Sequence, residues 1–263
     1  MRKNKAAQKI INFRRFSETP DRQAKPPKKG IYLLPNVLTT GALFAGFYAV
    51  LSGFGGRYEL AVIAIFAAMF FDGLDGRVAR LTNTQSDFGL QYDSLSDMVS
   101  FGIAPAFVAY AWGLNNLGNL GVAAAFIYAS CAALRLARFN VQSALADEKY
   151  FTGLPSPAAA ALVAGFLWSV QGLEQSVFLY ALATLLTGTA GLLMVSNFKY
   201  PSFKGVDLRG KVPFVVILSI AMGFVVVSID PPRILFLMAF SFAFLAPLLP
   251  LFSKLRGLKK TAD

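Results

Sequence analysis

Eight long apolar runs restrict this chain more than any other feature. They lie near residues 31–52, 59–80, 94–113, 119–140, 156–171, 175–196, 212–229 and 232–252. Most are close to the roughly 20 residues an α-helix needs to cross a bilayer, and the fifth is the shortest. Hydrocarbon offers no partner to a backbone N–H or C=O, so a spanning segment of this kind must close its hydrogen bonds internally as a helix. The expected fold is therefore all-α: a polytopic membrane helix bundle of about eight transmembrane helices. Composition agrees, with 56% hydrophobic and 15% charged residues against about 45–50% and about 25% in soluble domains. No internal repeat suggests a two-fold transporter.

Charge sets the expected orientation. The formal net charge is +11, and much of it is in residues 1–30. That arm carries Arg2, Lys3, Lys5, Lys9, Arg14, Arg15, Arg22, Lys25, Lys28 and Lys29 against Glu18 and Asp21. A basic arm is compatible with nucleic acid, but no nucleic-acid motif accompanies it, and directly before a span it reads as a segment lying on anionic headgroups. Ile10, Ile11, Phe13 and Phe16 among these cations fit a short interfacial helix. An even number of spans puts both termini on one side. With the termini in the cytoplasm, Arg77, Arg80, Arg135, Arg138, Lys149, the 199–211 loop and the 254–260 tail are all inside, leaving only Arg57 and Arg233 outside. The expectation is a multi-pass protein of the inner (cell) membrane with cytoplasmic ends.

Two residue counts narrow the chemistry. There is no histidine, which excludes a Ser-His-Asp triad and His-ligated zinc or haem, so acid–base work falls to carboxylates, lysine or tyrosine. Cys131 is alone and cannot form an internal disulfide.

Against this apolar background stand Asp72, Asp75, Asp93 and Asp97, on the second span and the start of the third. A charge at membrane depth costs several kcal/mol, so ionisable residues there are functional candidates. Asp72, Asp75, Gly76 and Ala79 recur at three- and four-residue steps and share one helical face. Gly89, Asp93 and Asp97 do the same on the next helix. If the two faces meet, four carboxylates converge, and they repel one another unless cations sit between them. All-oxygen ligands suit Mg²⁺ or Mn²⁺ and disfavour zinc. Small residues at 76, 79 and 89 permit close approach of backbone and substrate. The competing interpretation, ordinary helix-end aspartates paired with Arg77 and Arg80, accounts poorly for four in this register.

Residues 72–97 read DGLDGRVARLTNTQSDFGLQYDSLSD. This resembles the CDP-alcohol phosphotransferase signature D-x2-D-G-x2-A-R-x8-G-x3-D-x3-D at every defined position. PNVLTT at 35–40, RLARFN at 135–140 and FTGLPSP at 151–157 are similar to the integral-membrane phosphatidylserine synthase branch. The resemblance divides the chain into a basic arm (1–30), a catalytic membrane domain (31–205) and two further spans with a basic tail (206–263). It implies a cytoplasmic-facing active site with two divalent metal ions, Mg²⁺ or Mn²⁺. Asp72, Asp75 and Asp93 would be metal ligands, and Asp97 both ligand and general base. Gly76, Ala79 and Arg80 resemble the nucleotide- and phosphate-binding positions, with Asn36 and Thr39 on the first span as further candidates. Helix packing is the alternative role for these two. The implied substrates are CDP-diacylglycerol and L-serine, the implied partner is a second copy in a homodimer, and no nucleic acid is involved.

Arg135 and Arg138 are the expected acceptor-binding residues, since two rare charges three positions apart can lean toward one region. A guanidinium fork matches carboxylate or phosphate, so glycerol 3-phosphate, inositol phosphate and choline remain alternative acceptors, and snorkelling to the interface is the alternative role for the pair. The glycines and prolines of 151–157 are expected to shape a cytoplasmic loop. A transporter would instead spread its acidic residues over several spans and depths.

Overall fold

The structure, a computed structural model, describes residues 33–142, 150–201 and 214–260; the basic arm lies outside them. Each of the eight apolar runs is helical. In chain order these are α1 (Leu33–Phe54), α2 (Tyr58–Leu81), α3 (Asp87–Asp97) continuing through a π-helical turn (Met98–Ile103) into α4 (Ala104–Trp112), α5 (Asn119–Gln142), α6 (Ser156–Ser169), α7 (Val177–Val195), α8 (Phe214–Ile229) and α9 (Pro231–Lys260). Among the described residues, four helical segments are long and apolar enough to cross a membrane: Leu33–Phe54, Asp87–Trp112, Asn119–Val141 and Val177–Val195. The α8–α9 pair, bent by 119° at Asp230, would make five if it counts as one span. The 24-residue α2 has the length but carries Asp72, Asp75, Arg77 and Arg80 in its second half.

Local sequence explains the helix ends. Glu59 in the first turn of α2 and Arg80 in the last complement the helix dipole. Ser86 caps α3 by accepting from Gly89 N at 3.0 Å, and Ser176 caps α7 by accepting from Leu179 N at 3.4 Å. Pro155 stands immediately before α6, where its missing N–H is no loss.

The helices pack through small residues, as expected where lipid tails remove the hydrophobic drive between helices. Along α1, the buried positions Ala42, Ala45, Gly46, Ala49, Ser52 and Gly53 form a stripe at three- and four-residue steps. At Gly46 a Cβ would fall 2.6 Å from the Cα of Ser100, so only glycine lets α1 approach the π-helical turn this closely. Ser100 Oγ completes that junction by donating to Ala42 O at 3.0 Å. The turn's own widened backbone is served by Tyr128 of α5, whose OH donates to Phe101 O at 2.9 Å. Large apolar side chains such as Phe44, Phe54, Phe126 and Leu185 face outward, the arrangement expected where the solvent is hydrocarbon.

At 14 residues, α6 is about 21 Å long, short of the roughly 30 Å hydrocarbon core. It is an inner helix: Ala159, Ala160, Leu162, Val163 and Ala164 are all buried. Helix α9 covers one side of it, with Phe236 Cα 3.0 Å from where a Cβ on Gly165 would lie.

Among the described residues, one element departs from the all-helical expectation. Tyr150–Thr152 (β1) pairs antiparallel with Lys199–Pro201 (β2), with Phe151 opposite Tyr200. The strap extends through Gly153 N donating to Phe198 O at 2.8 Å and Leu154 N to Leu193 O at 2.9 Å. Gly153 has φ +83°, and a Cβ there would run into Met194 O, so glycine is required on both counts. Tyr200 OH donates to Ala243 O at 2.9 Å, anchoring the strap to α9.

Candidate active site

The two acidic faces meet. Carboxylate oxygens of Asp72, Asp75 and Asp93 lie within 4.8 Å of one another, and Asp97 is within side-chain hydrogen-bonding reach of Asp72. Helix periodicity aligns the residues within α2 and within α3. Contacts to α1 hold the two helices in register. Thr39 Oγ1 stands 2.6 Å from Asp75 Oδ2 and 3.1 Å from Pro35 O. Ser96 Oγ, on α3 next to Asp97, donates to Thr39 O at 3.1 Å. Thr39 and Asp75 are both buried, so this contact supplies a hydrogen-bond partner to two groups with little access to water.

Asp75 and Asp93 open onto a cleft of about 470 Å³ lined by Pro35, Asn36, Thr39, Asp75, Gly76, Ala79, Arg80, Thr84, Gln85, Ser86, Asp87, Gly89, Leu90, Asp93 and Phe139. All five residues expected around the nucleotide are therefore on one wall system with two of the aspartates. Gly76 has only Arg80 nitrogens near the place its Cβ would take, at 3.7 and 4.0 Å, and so keeps the cleft open beside the guanidinium. Asn36 Oδ1 lies 3.7 Å from where a Cβ on Gly89 would stand. Arg77 is exposed and does not line the cleft.

Arg135 and Arg138 are placed differently. Arg135 Nη1 donates to Ser156 Oγ at 2.7 Å, and its charge acts on Asp97 and Asp72. Arg138 Nη2 donates to Asn197 Oδ1 at 3.2 Å. Neither lines the cleft. They reach from α5 toward the two segments that the β strap joins, Arg135 on the acidic side.

Several contributors went unnoticed in the sequence. Gln85, Ser86 and Asp87 line the cleft from the α2–α3 turn; Ser86 could have been suspected as a helix cap. Asn140 accepts from Ser94 Oγ at 3.1 Å and donates to Gln91 Oε1 at 3.2 Å, tying α5 to α3. Asn140 and Ser156 sit inside RLARFN and FTGLPSP, the only signal that marked them.

The donor set fits a divalent cation. Every ligand candidate is a carboxylate oxygen, and carboxylates this close repel unless a proton or cation lies between them.

Residues 32–189 match the family model described as CDP-alcohol phosphatidyltransferase. The chain belongs to that family. Family members use divalent metals, as the acidic cluster allows. Among curated relatives, this family member is 37% identical to a CDP-diacylglycerol–serine O-phosphatidyltransferase of Helicobacter pylori (strain 26695), over 76% of this chain and 84% of the relative. It is 36% identical to the enzyme of that name from Bacillus subtilis, over 65% and 91%, and 44% identical to that of Methanocaldococcus jannaschii, over 53% and 62%. The family and the apolar helices together make it a multi-pass membrane protein.

Proposed function

We propose that the chain is a CDP-diacylglycerol–serine O-phosphatidyltransferase that makes phosphatidylserine and CMP. The observation that carries this reading is the convergence of Asp72, Asp75, Asp93 and Asp97 beside a cleft that also holds Asn36, Thr39, Gly76, Ala79 and Arg80. The names of the relatives support the serine acceptor.

In the proposed reaction, Arg80 and the open backbone at Gly76 and Ala79 receive the CDP moiety, with Asn36 and Thr39 on the facing helix. Arg80 contributes charge-assisted hydrogen bonds to phosphate. The four aspartates would hold a pair of Mg²⁺ or Mn²⁺ ions, which would supply positive charge against the pyrophosphate and the developing charge on the CMP oxygen. Asp97 accepts the proton of the serine hydroxyl. The serine Oγ–P bond forms at the phosphatidyl phosphorus as the P–O bond to CMP breaks. Arg135 offers its guanidinium edge to the serine carboxylate. Among the described residues it forms no ion pair with a carboxylate, yet it is close enough for its charge to act on Asp97. An acceptor between the two would have its carboxylate at one end and its hydroxyl at the other. Arg138 supports the same side of the site.

Eight spans, cytoplasmic termini, an inner-membrane location and a homodimer complete the proposal, carried by the charge distribution and the family resemblance. The test is acceptor competition with radiolabelled CDP-diacylglycerol. Serine should be consumed well ahead of glycerol 3-phosphate, inositol phosphate and choline. A phosphatidylglycerol phosphate or phosphatidylinositol phosphate product would overturn the serine assignment.

A further inference from the structure

Ser156 has no role in the reaction as set out above, yet it is fully buried and its hydroxyl meets a charged group. Its side chain is 0% exposed and accepts from Arg135 Nη1 at 2.7 Å. Ser156 follows the N-cap residue Pro155, which makes no side-chain cap bond, and among the described residues the bond that its own hydroxyl makes is to Arg135. The backbone presenting it is held from both directions. Upstream, Gly153 and Leu154 are hydrogen-bonded to Phe198 and Leu193, and Pro155 fixes the turn into the helix. Downstream, α6 is the buried inner helix.

Arginine has four rotatable side-chain bonds and five N–H donors in a rigid plane. Which edge faces the reacting groups depends on what fixes that plane. Here the fixed partner is Ser156 Oγ. Among the described residues no carboxylate lies within the 4.0 Å of an ion pair with Arg135, so the acidic cluster itself does not clamp the guanidinium.

We propose that Ser156 is a positioning residue for the acceptor: by accepting from one nitrogen of Arg135 it turns the remaining N–H edge toward the acceptor's carboxylate, opposite Asp97. It acts only through Arg135 and touches no substrate. The β1–β2 strap is the frame that keeps the hydroxyl in place. This assignment rests on the reading of Arg135 as the acceptor's partner.

The test is a double-mutant cycle read on KM. Ser156→Ala should raise KM for serine about ten-fold, as expected for losing a buried bond to a charged group. KM for CDP-diacylglycerol and kcat at saturating serine should stay within about two-fold. Arg135→Ala should raise KM for serine further, and Ser156→Ala should then add nothing. An unchanged KM, or the same factor in both backgrounds, would overturn the proposal. If Ser156→Ala is not recovered folded, Ser156→Cys serves: its thiol takes the place of the hydroxyl and offers only a weak acceptor, so it should raise KM severalfold in the parent and not in Arg135→Ala. A parent enzyme that consumes another alcohol defeats the serine reading alone. The same cycle, read on KM for that alcohol, still decides the role of Ser156.

Discussion

Thr39 Oγ1 donates to Asp75 Oδ2 across 2.6 Å, joining residues 36 positions apart. One is on α1 and the other on α2, and both are buried. The hydroxyl holds the carboxylate in a single orientation at the edge of the acidic cluster. Ser96 in turn donates to the carbonyl of Thr39, so this one residue ties α1 to both metal-side helices. Removing the hydroxyl while keeping the shape, in Thr39→Val, should leave the fold intact and loosen Asp75. Partners of metal ligands are typically worth about 10–100-fold in affinity or activity. The Mg²⁺ or Mn²⁺ concentration giving half-maximal activity should therefore rise by about ten-fold, measured by metal titration of the purified enzyme. An unchanged titration would remove Thr39 from the metal site.

Chelation tests the cluster as a whole. Excess EDTA should abolish turnover. Mg²⁺ or Mn²⁺ should restore it, whereas Zn²⁺ should do so poorly, because the donor set contains neither nitrogen nor sulfur. Full activity in excess EDTA would sink the metal-dependent mechanism.

Asp97 is expected to separate binding from chemistry. Asp97→Asn keeps the side-chain shape but cannot take up the hydroxyl proton. Turnover should fall by orders of magnitude, roughly the 10²–10⁴-fold ascribed to general-base catalysis. Binding of the CDP-lipid should remain measurable, because Asp72, Asp75 and Asp93 still cluster. Asp72→Asn and Asp75→Asn should damage both, as seen by comparing equilibrium binding with turnover. Near-normal turnover in Asp97→Asn would place the base elsewhere.

The proposed orientation can be read chemically. With Cys131 replaced, single cysteines in the 197–211 loop and at the C-terminus should react with impermeant reagents only from the cytoplasmic side. Labelling of either from outside intact cells would overturn the eight-span arrangement.

The positions of the helices were largely legible because hydropathy is a local property. Each apolar run is helical, even where its bounds moved, as for the third, which begins at Asp87 and passes through a π-helical turn from α3 into α4. The acidic residues were legible for a related reason: charge at membrane depth is expensive, so four aspartates at helical spacing stood out. The strand pair was not. Tyr150–Thr152 and Lys199–Pro201 are three residues each, too short for an alternating pattern, and their pairing joins segments almost fifty residues apart.

By itself, then, the sequence determined that the chain is helical, that it belongs in a membrane, and which faces of α2 and α3 carry the carboxylates. Those properties follow from residue type and from periods of three and four along one helix. Only the tertiary structure decided that the two faces meet, that Thr39 turns toward Asp75, and that Arg135 is held by Ser156 while Arg138 goes to Asn197. These are single contacts between distant and unremarkable polar residues. Nothing periodic announces them, because their geometry exists only once α1, α5, α6 and the β strap have packed around the acidic helices.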